Sequence, residues 1–127
     1  MSHVLSVRRE GKYLHITVTG DNTVQDVQRY LTEVREACAE HKCPYVLIEE
    51  NLRGKSIGTL DIFNVISKLA QPSAVVRCIA YVDVNPEHDA KRMDFAETVA
   101  INRGIGIRIF PDIPAARMWI AQYSSGG

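Results

Sequence analysis

The segment 51–61, with the sequence NLRGKSIGTLD, holds the residues best suited to binding or chemistry. Its centre, Gly54-Lys55-Ser56, matches the end of a phosphate-binding P-loop. That motif also needs a glycine five residues before Gly54, where this chain has Glu49 followed by Glu50. A side chain at that position blocks the tight turn, and two carboxylates repel phosphate. The sequence therefore argues against a nucleotide site.

Ser56 has three further interpretations. It could be a nucleophile, although it lies in no G-x-S-x-G elbow, and this alternative stays open because a triad is recognised in space. It could accept a phosphate group, since a phosphoserine at a helix start gains from the helix dipole, and Arg53 and Lys55 add positive charge. It could also simply cap a helix or turn the chain, which is the interpretation that the residues alone favour.

Two groups of possible metal ligands lack the pattern that metal binding requires. Cys38, His41 and Cys43 are close in sequence, but structural zinc takes four ligands in paired spacings. Cys38 is more simply the last core residue of a helix. The second group surrounds the start of a later helix, whose dipole stabilises carboxylates without a metal. Its members are Asp83, Glu87, His88 and Asp89. The sequence predicts no metal and no cofactor.

Glu49 and Glu50 could in principle form a general acid and base pair. Adjacent residues of a strand point to opposite faces, so the two carboxylates are not expected to act together. Because no other combination has suitable spacing, the sequence predicts that the protein is not an enzyme.

Composition places the chain among ordinary globular proteins. It has 127 residues, of which 46% are hydrophobic and 24% charged, enough for one domain with a core. Lysine and arginine total 15, as do aspartate and glutamate, so the basic excess typical of nucleic-acid binding is absent. No apolar stretch is long enough to span a membrane, and the N-terminus shows no secretory signal. Three cysteines indicate free thiols, so we expect a cytoplasmic protein of bacterial type.

Apolar periodicity predicts five strands and four helices. The predicted strands cover 4–9, 13–19, 45–48, 75–82 and 105–109. The predicted helices cover 23–41, 60–70, 86–102 and a final segment capped by Asp112. In the second strand His15, Thr17 and Thr19 alternate with apolar residues, which indicates a half-buried hairpin near a sheet edge. In the last helix Trp119 and Tyr123 are predicted as core residues rather than a ligand box.

This order, β-β-α-β-α-β-α-β-α, predicts a single-domain α/β fold with helices packed on a mixed β-sheet. Ligands of such sheets favour the crevice beyond the carboxyl ends of the strands. The longest predicted loop there is 49–59, and the loop 83–89 lies beside it. The candidate partner- or ligand-binding residues are Asn51, Arg53, Lys55, Ser56, Thr59, Asp83 and Asn85.

The whole pattern resembles a STAS-type domain, the fold of bacterial anti-sigma factor antagonists and of the cytoplasmic part of sulphate transporters. The resemblance covers nearly the full chain, from the opening hairpin through the helix 23–41, the strand 45–48 and the loop before 60–70. The ending, FAETVAINRGIGIRIFPDIPAARMWI, is similar to that of divergent STAS-like proteins, where a short strand precedes a final helix with a tryptophan. The resemblance implies a STAS-like domain over 1–123 and a flexible tail over 124–127.

In the antagonist family, the third strand ends in an aspartate-serine-serine-glycine motif, and the serine is phosphorylated by the anti-sigma factor, which abolishes binding. Ser56 and Gly58 are the nearest matches here, while Lys55 replaces the aspartate and the loop is longer by 51–54. The resemblance implies a non-enzymatic regulatory module, switched at Ser56, whose partner is a protein such as a kinase-type anti-sigma factor. It leaves a homodimer open.

STAS-like folds also resemble lipid-carrier domains. This second resemblance implies an alternative function, a small-molecule or lipid-binding module. Its site would be the crevice between 51–59 and 83–89, at the carboxyl ends of the strands.

Overall fold

A computed structural model of the protein describes residues 4–21, 23–54, 76–84, 106–110 and 112–125. These ranges contain the strands β1 (Val4–Glu10), β2 (Tyr13–Asp21), β3 (Tyr45–Arg53), β4 (Cys78–Asp83) and β5 (Gly106–Ile109). They also contain the helices α1 (Val24–Glu40) and α2 (Ile113–Ser125). The helices predicted at 60–70 and 86–102 lie outside the described residues.

The five strands form one sheet in the order β1-β2-β3-β4-β5. β1 and β2 are antiparallel and are joined by a tight turn, in which Gly11 has a φ of 65°, a conformation that favours glycine. The pairs β2–β3, β3–β4 and β4–β5 are all parallel, so these strands end on the same side, called here the carboxyl end of the sheet. The predicted mixed α/β sheet with an opening hairpin is confirmed.

α1 has the ends that its sequence predicts. The Thr23 hydroxyl accepts a hydrogen bond from the Asp26 N–H at 3.1 Å, which satisfies one of the unpaired donors of the first turn. His41 closes the helix, and its N–H donates to the Ala37 carbonyl at 2.9 Å. Apolar residues of α1 are buried on one side of the sheet, called here the α1 face. The cluster includes Val27, Leu31, Val34, Ala37 and Cys38 from α1, and Leu14, Ile16, Val18, Val46, Ile48 and Ile79 from the strands.

α2 packs on the opposite side of the sheet, called here the α2 face. The Asp112 carboxylate accepts a hydrogen bond from the Ala115 N–H at 2.9 Å, as expected for the predicted cap. Ala116 and Ile120 are buried against Leu47, Ala80 and other strand residues. Trp119, predicted as a core residue, is partly buried and packs against this cluster, with its ring 5.5 Å from the tilted ring of Phe110. The helix continues to Ser125, so it includes the first two residues of the predicted tail.

β3 is longer than predicted. The sequence places its end at Ile48, whereas the strand continues to Arg53 and pairs with β2 as far as Asp21. The run of polar residues after Ile48 resembles a loop in sequence, but Glu50 and Leu52 within it are buried. β4 is buried on both faces, as its apolar run predicts, although it begins at Cys78 and ends at Asp83. The three cysteines are all buried and free, as expected.

Candidate functional site

Three of the predicted site residues fall within the described part of the chain. Asn51 and Arg53 were expected in a long loop, but both belong to β3, because Leu52 between them is fully buried and holds the strand against the core. Asp83 is the last residue of β4. Lys55, Ser56, Thr59 and Asn85 lie outside the described residues.

The described site residues lie on opposite faces of the sheet. Side chains alternate along a strand, so Asn51 and Arg53 share a face with Glu49, while Glu50 points to the other face with Leu52. The strand register pairs Glu50 with Asp83, which places Asp83 on the α1 face. The described residues of the predicted crevice therefore divide into two separate surfaces, each with its own chemistry.

The first surface is the part of the α2 face that α2 leaves uncovered. The register aligns Thr19 with both Val4 and Asn51, and Thr17 with Ser6. Except for Thr17, which is half-buried, all of these side chains are exposed. Arg53 ends the surface; its side chain is 75% exposed and its guanidinium lies 3.3 Å from the Asp21 carboxylate. This surface is called here the open patch: Val4, Ser6, Thr17, Thr19, Asn51 and Arg53.

The second surface contains a buried carboxylate on the α1 face. Glu50 is only 5% exposed, and the hydroxyls of Tyr30 and Tyr81 each donate a hydrogen bond to one of its oxygens. Burial raises the pKa of both phenols well above its ordinary value, and the negative charge of Glu50 raises it further. Both tyrosines therefore remain protonated donors. Their hydrogen bonds to Glu50 connect α1 and β4 to β3 near the carboxyl end of the sheet.

Spacing in the sequence could have indicated that Tyr30, one of the two partners of Glu50, is buried. Tyr30 lies three residues after Val27 and four before Val34, so it belongs to the buried stripe of α1. Asp26 lies one turn earlier on the same side of the helix and is also buried. Apolar periodicity alone predicts the helix but does not mark these two polar side chains as buried. Nothing local marks Glu50, because its phenol partners are 20 and 31 residues away in the chain.

A second polar network lies on the α2 face, centred on His15. The sequence predicts His15 on a partly exposed face, but its side chain is only 4% exposed. Its Nε2 lies 3.0 Å from the Glu49 carboxylate, and its Nδ1 lies 3.1 Å from the Arg8 guanidinium and 3.4 Å from the Glu10 carboxylate. These charged partners replace water around the ring, which explains how a histidine can be buried there.

Glu10 completes this network at the sheet edge. Its carboxylate accepts a hydrogen bond from the Tyr13 hydroxyl at 2.8 Å and lies 2.7 Å from the Arg8 guanidinium. Burial raises the pKa of this carboxyl, but the hydrogen bonds from Tyr13, Arg8 and His15 outweigh burial, so its pKa lies below the ordinary value. Glu49 and Glu50 belong to networks on different faces, as the alternation of a strand predicts.

Within the described ranges, no group of three His, Cys, Asp or Glu side chains is arranged to hold a metal ion. Neither described helix is long and apolar enough to cross a membrane. The polar side chains of the two surfaces can accept and donate hydrogen bonds and can balance the charge of a partner or ligand.

The fold as a whole matches a solved structure. An uncharacterised protein from Shewanella loihica, of the DUF3478 family and with a SpoIIAA-like fold, superposes with a TM-score of 0.54. The match covers 94% of each chain at 20% sequence identity. The chain has a STAS-like fold. This agrees with the resemblance seen in the sequence.

The STAS-like fold is supported by structure rather than by sequence similarity. No protein-family model matches the sequence, and no curated protein matches it significantly. At 20% identity the similarity describes the fold alone, and fold alone does not assign a function.

Proposed function

We propose that the protein is a non-enzymatic regulatory module that binds a protein partner through the open patch. The observation that carries this proposal is that the described side chains of the open patch, at the carboxyl ends of β2 and β3 and the start of β1, are exposed apart from the half-buried Thr17. Sheets with parallel strands usually have both faces covered. An exposed area at the carboxyl end of β3 is therefore a natural docking surface.

The chemistry of the open patch suits a protein. Its side chains are hydroxyls, one amide, one valine and one guanidinium, and the valine is 67% exposed. Arg53 is paired with Asp21, so the patch has little net charge and gives no electrostatic support for binding a phosphate backbone. Non-obligate interfaces are about as apolar as the rest of a protein surface and are enriched in arginine, so a mixed patch that contains Arg53 is compatible with one.

The proposed switch is phosphorylation of Ser56. β3 ends at Arg53, and Ser56 is three residues further along the chain. A phosphate group on Ser56 would therefore be close in sequence to the Arg53 guanidinium. A phosphate group adds a charge of about −1.5 to −2 at neutral pH. It would compete with Asp21 for the Arg53 guanidinium and change the charge of the open patch, which is how phosphorylation would weaken binding.

The test compares partner capture by designed variants of the full chain. The baits are wild type, Thr19→Arg and Asn51→Arg, with Gln25→Arg on the exposed side of α1 as the matched control, and each must show the wild-type circular dichroism spectrum. We expect a protein that is captured by wild type and Gln25→Arg and lost with the two patch variants. Equal capture by all four baits would exclude the open patch as the interface.

A second set of baits tests the switch separately. Ser56→Ala should capture the partner as wild type does, whereas Ser56→Asp should capture it weakly. If the two Ser56 variants captured the partner equally, the open patch could still be the interface, but Ser56 would not be its switch. Light scattering on the same samples shows whether a second copy of the chain is the partner.

A second candidate function, a small-molecule-binding module, is favoured by the other surface. The α1 face carries several buried polar side chains near the carboxyl ends of β3 and β4, where ligands of such sheets bind. Because these groups include carboxylates, they suit a polar ligand better than the acyl chain of a lipid.

A further inference from the structure

Asp26 has a buried oxygen without a partner. The residue is 2% exposed, and among the described residues its Oδ2 is a buried side-chain atom that makes no hydrogen bond. Buried polar atoms in folded proteins are almost always hydrogen-bonded, because an unpaired one costs about 1–3 kcal/mol. The first turn of α1 favours a negative charge on Asp26, but the helix supplies no partner for Oδ2.

The fold directs Asp26 towards the cluster around Glu50. Asp26 and Tyr30 are four residues apart in α1, so their side chains lie one above the other on the same side of the helix. The Tyr30 hydroxyl reaches Glu50 on β3. Since α1 begins just after β2 ends, Asp26 lies one turn nearer than Tyr30 to the carboxyl end of the sheet.

The described strand residues at this end of the α1 face include two carboxylates and no basic side chain. Glu50 and Asp83 are neighbours in the strand register, and the other strand residues described there, Leu5, Val18, Gly20 and Leu52, carry no charge. Burial raises the pKa of Tyr30 and of Tyr81, and the charges of Glu50 and Asp83 raise both further, which agrees with the neighbouring positions of the two carboxylates in the strand register.

We propose that Asp26 binds the ammonium or guanidinium group of a small organic cation at the carboxyl end of the α1 face. The proposal rests on the second candidate function and names its ligand class. An N–H group of the cation would donate to Oδ2, and Glu50 and Asp83 would supply the surrounding negative charge. A helix start carries a positive charge of only about half a unit, which the Asp26 carboxylate outweighs.

The test uses two cations and their neutral isosteres with the purified full chain. Methylguanidinium is compared with methylurea and butylammonium with butanol, at equal millimolar concentration and constant ionic strength, by two-dimensional amide NMR. We expect the cations to shift the amide signals of Asp26, Tyr30 and Asp83 in a saturable way, and the neutral isosteres to leave them unchanged.

Two variants assign the effect to Asp26. Asp26→Asn keeps the shape but removes the charge, and it should weaken binding of methylguanidinium about tenfold or more, the usual effect of losing a charge-assisted hydrogen bond. The control, Glu36→Gln, removes a charge from the exposed side of the same helix and should bind as wild type does. Equal binding by Asp26→Asn and wild type would overturn the proposal.

Failure of this inference can be distinguished from failure of the broader function. If methylurea, butanol or a fatty acid such as oleate shifted these amides and the cations did not, a small-molecule site would stand and the cation proposal would be wrong. If none of the five probes shifted them, both the cation site and the small-molecule function on this face would be rejected.

Discussion

The hydroxyl of Tyr30 donates a hydrogen bond to the buried carboxylate of Glu50 and so connects α1 to the centre of the sheet. The contact links residues 20 positions apart, and Tyr81 on β4 supplies the second donor. One carboxylate thus positions a helix and two strands at the carboxyl end of the sheet, where the second candidate function would act.

Removing the Tyr30 hydroxyl should destabilise the protein substantially. Tyr30→Phe leaves the buried Glu50 with one donor fewer, and hydrogen bonds to charged groups contribute about 1.5–3 kcal/mol to the free energy of unfolding. The matched control is Tyr13→Phe, which removes the same atom beside Glu10, a carboxylate that is 24% exposed. Urea unfolding should show that this control lowers the free energy of unfolding by about 1 kcal/mol or less, because water can replace the hydroxyl. Equal losses would contradict the assigned role of burial.

The extension of β3 predicts different effects of two adjacent substitutions. Leu52→Ala removes a fully buried side chain and should lower the free energy of unfolding by about 2–5 kcal/mol. Asn51→Ala, on the exposed face of the same strand, should change it by about 0.5 kcal/mol or less. Both values come from chemical denaturation. Similar small effects at the two positions would mean that 51–53 behave as a loop.

Glu10 should make stability depend on pH. Its pKa is lowered in the folded protein, so its contribution is fully present above the pKa of the unfolded chain and is lost as the pH falls through the folded value. We therefore expect Glu10→Gln to be less stable than wild type at neutral pH. The difference should disappear at about pH 2, where both chains are uncharged at this position. Glu36→Gln serves as the exposed control, and its difference from wild type should stay small at both pH values.

The cysteines should be unreactive in the folded protein. Burial raises the pKa of the thiols of Cys38 and Cys78 to about 12 each, so almost no thiolate forms at neutral pH, and Cys43 is also buried. A disulfide reagent such as DTNB should label the native protein only as fast as the chain opens, and should label all three thiols at once in denaturant. Rapid labelling of one thiol in native conditions would show that it is accessible.

Local and periodic features of the sequence were sufficient to predict the fold class. The Thr23 and Asp112 caps, the buried apolar stripe of α1, the opening hairpin and the continuous apolar run of β4 each depend on residues that are close in the chain. Such signals specify local geometry directly. Side chains three or four residues apart lie on the same side of a helix, and alternate residues lie on the same face of a strand.

The tertiary structure decided which polar residues are buried and which face each candidate residue occupies. Glu50 looks like a loop residue until Tyr30 and Tyr81 approach it, and His15 looks exposed until Arg8, Glu10 and Glu49 surround it. A charge is stable inside a protein only when partners replace its water, and here those partners come from other strands and from α1. The sequence by itself therefore determined the five strands, the two described helices and their order. The length of β3, the division of Asn51 and Asp83 between two faces, and the unpaired oxygen of Asp26 follow only from packing the sheet against its helices.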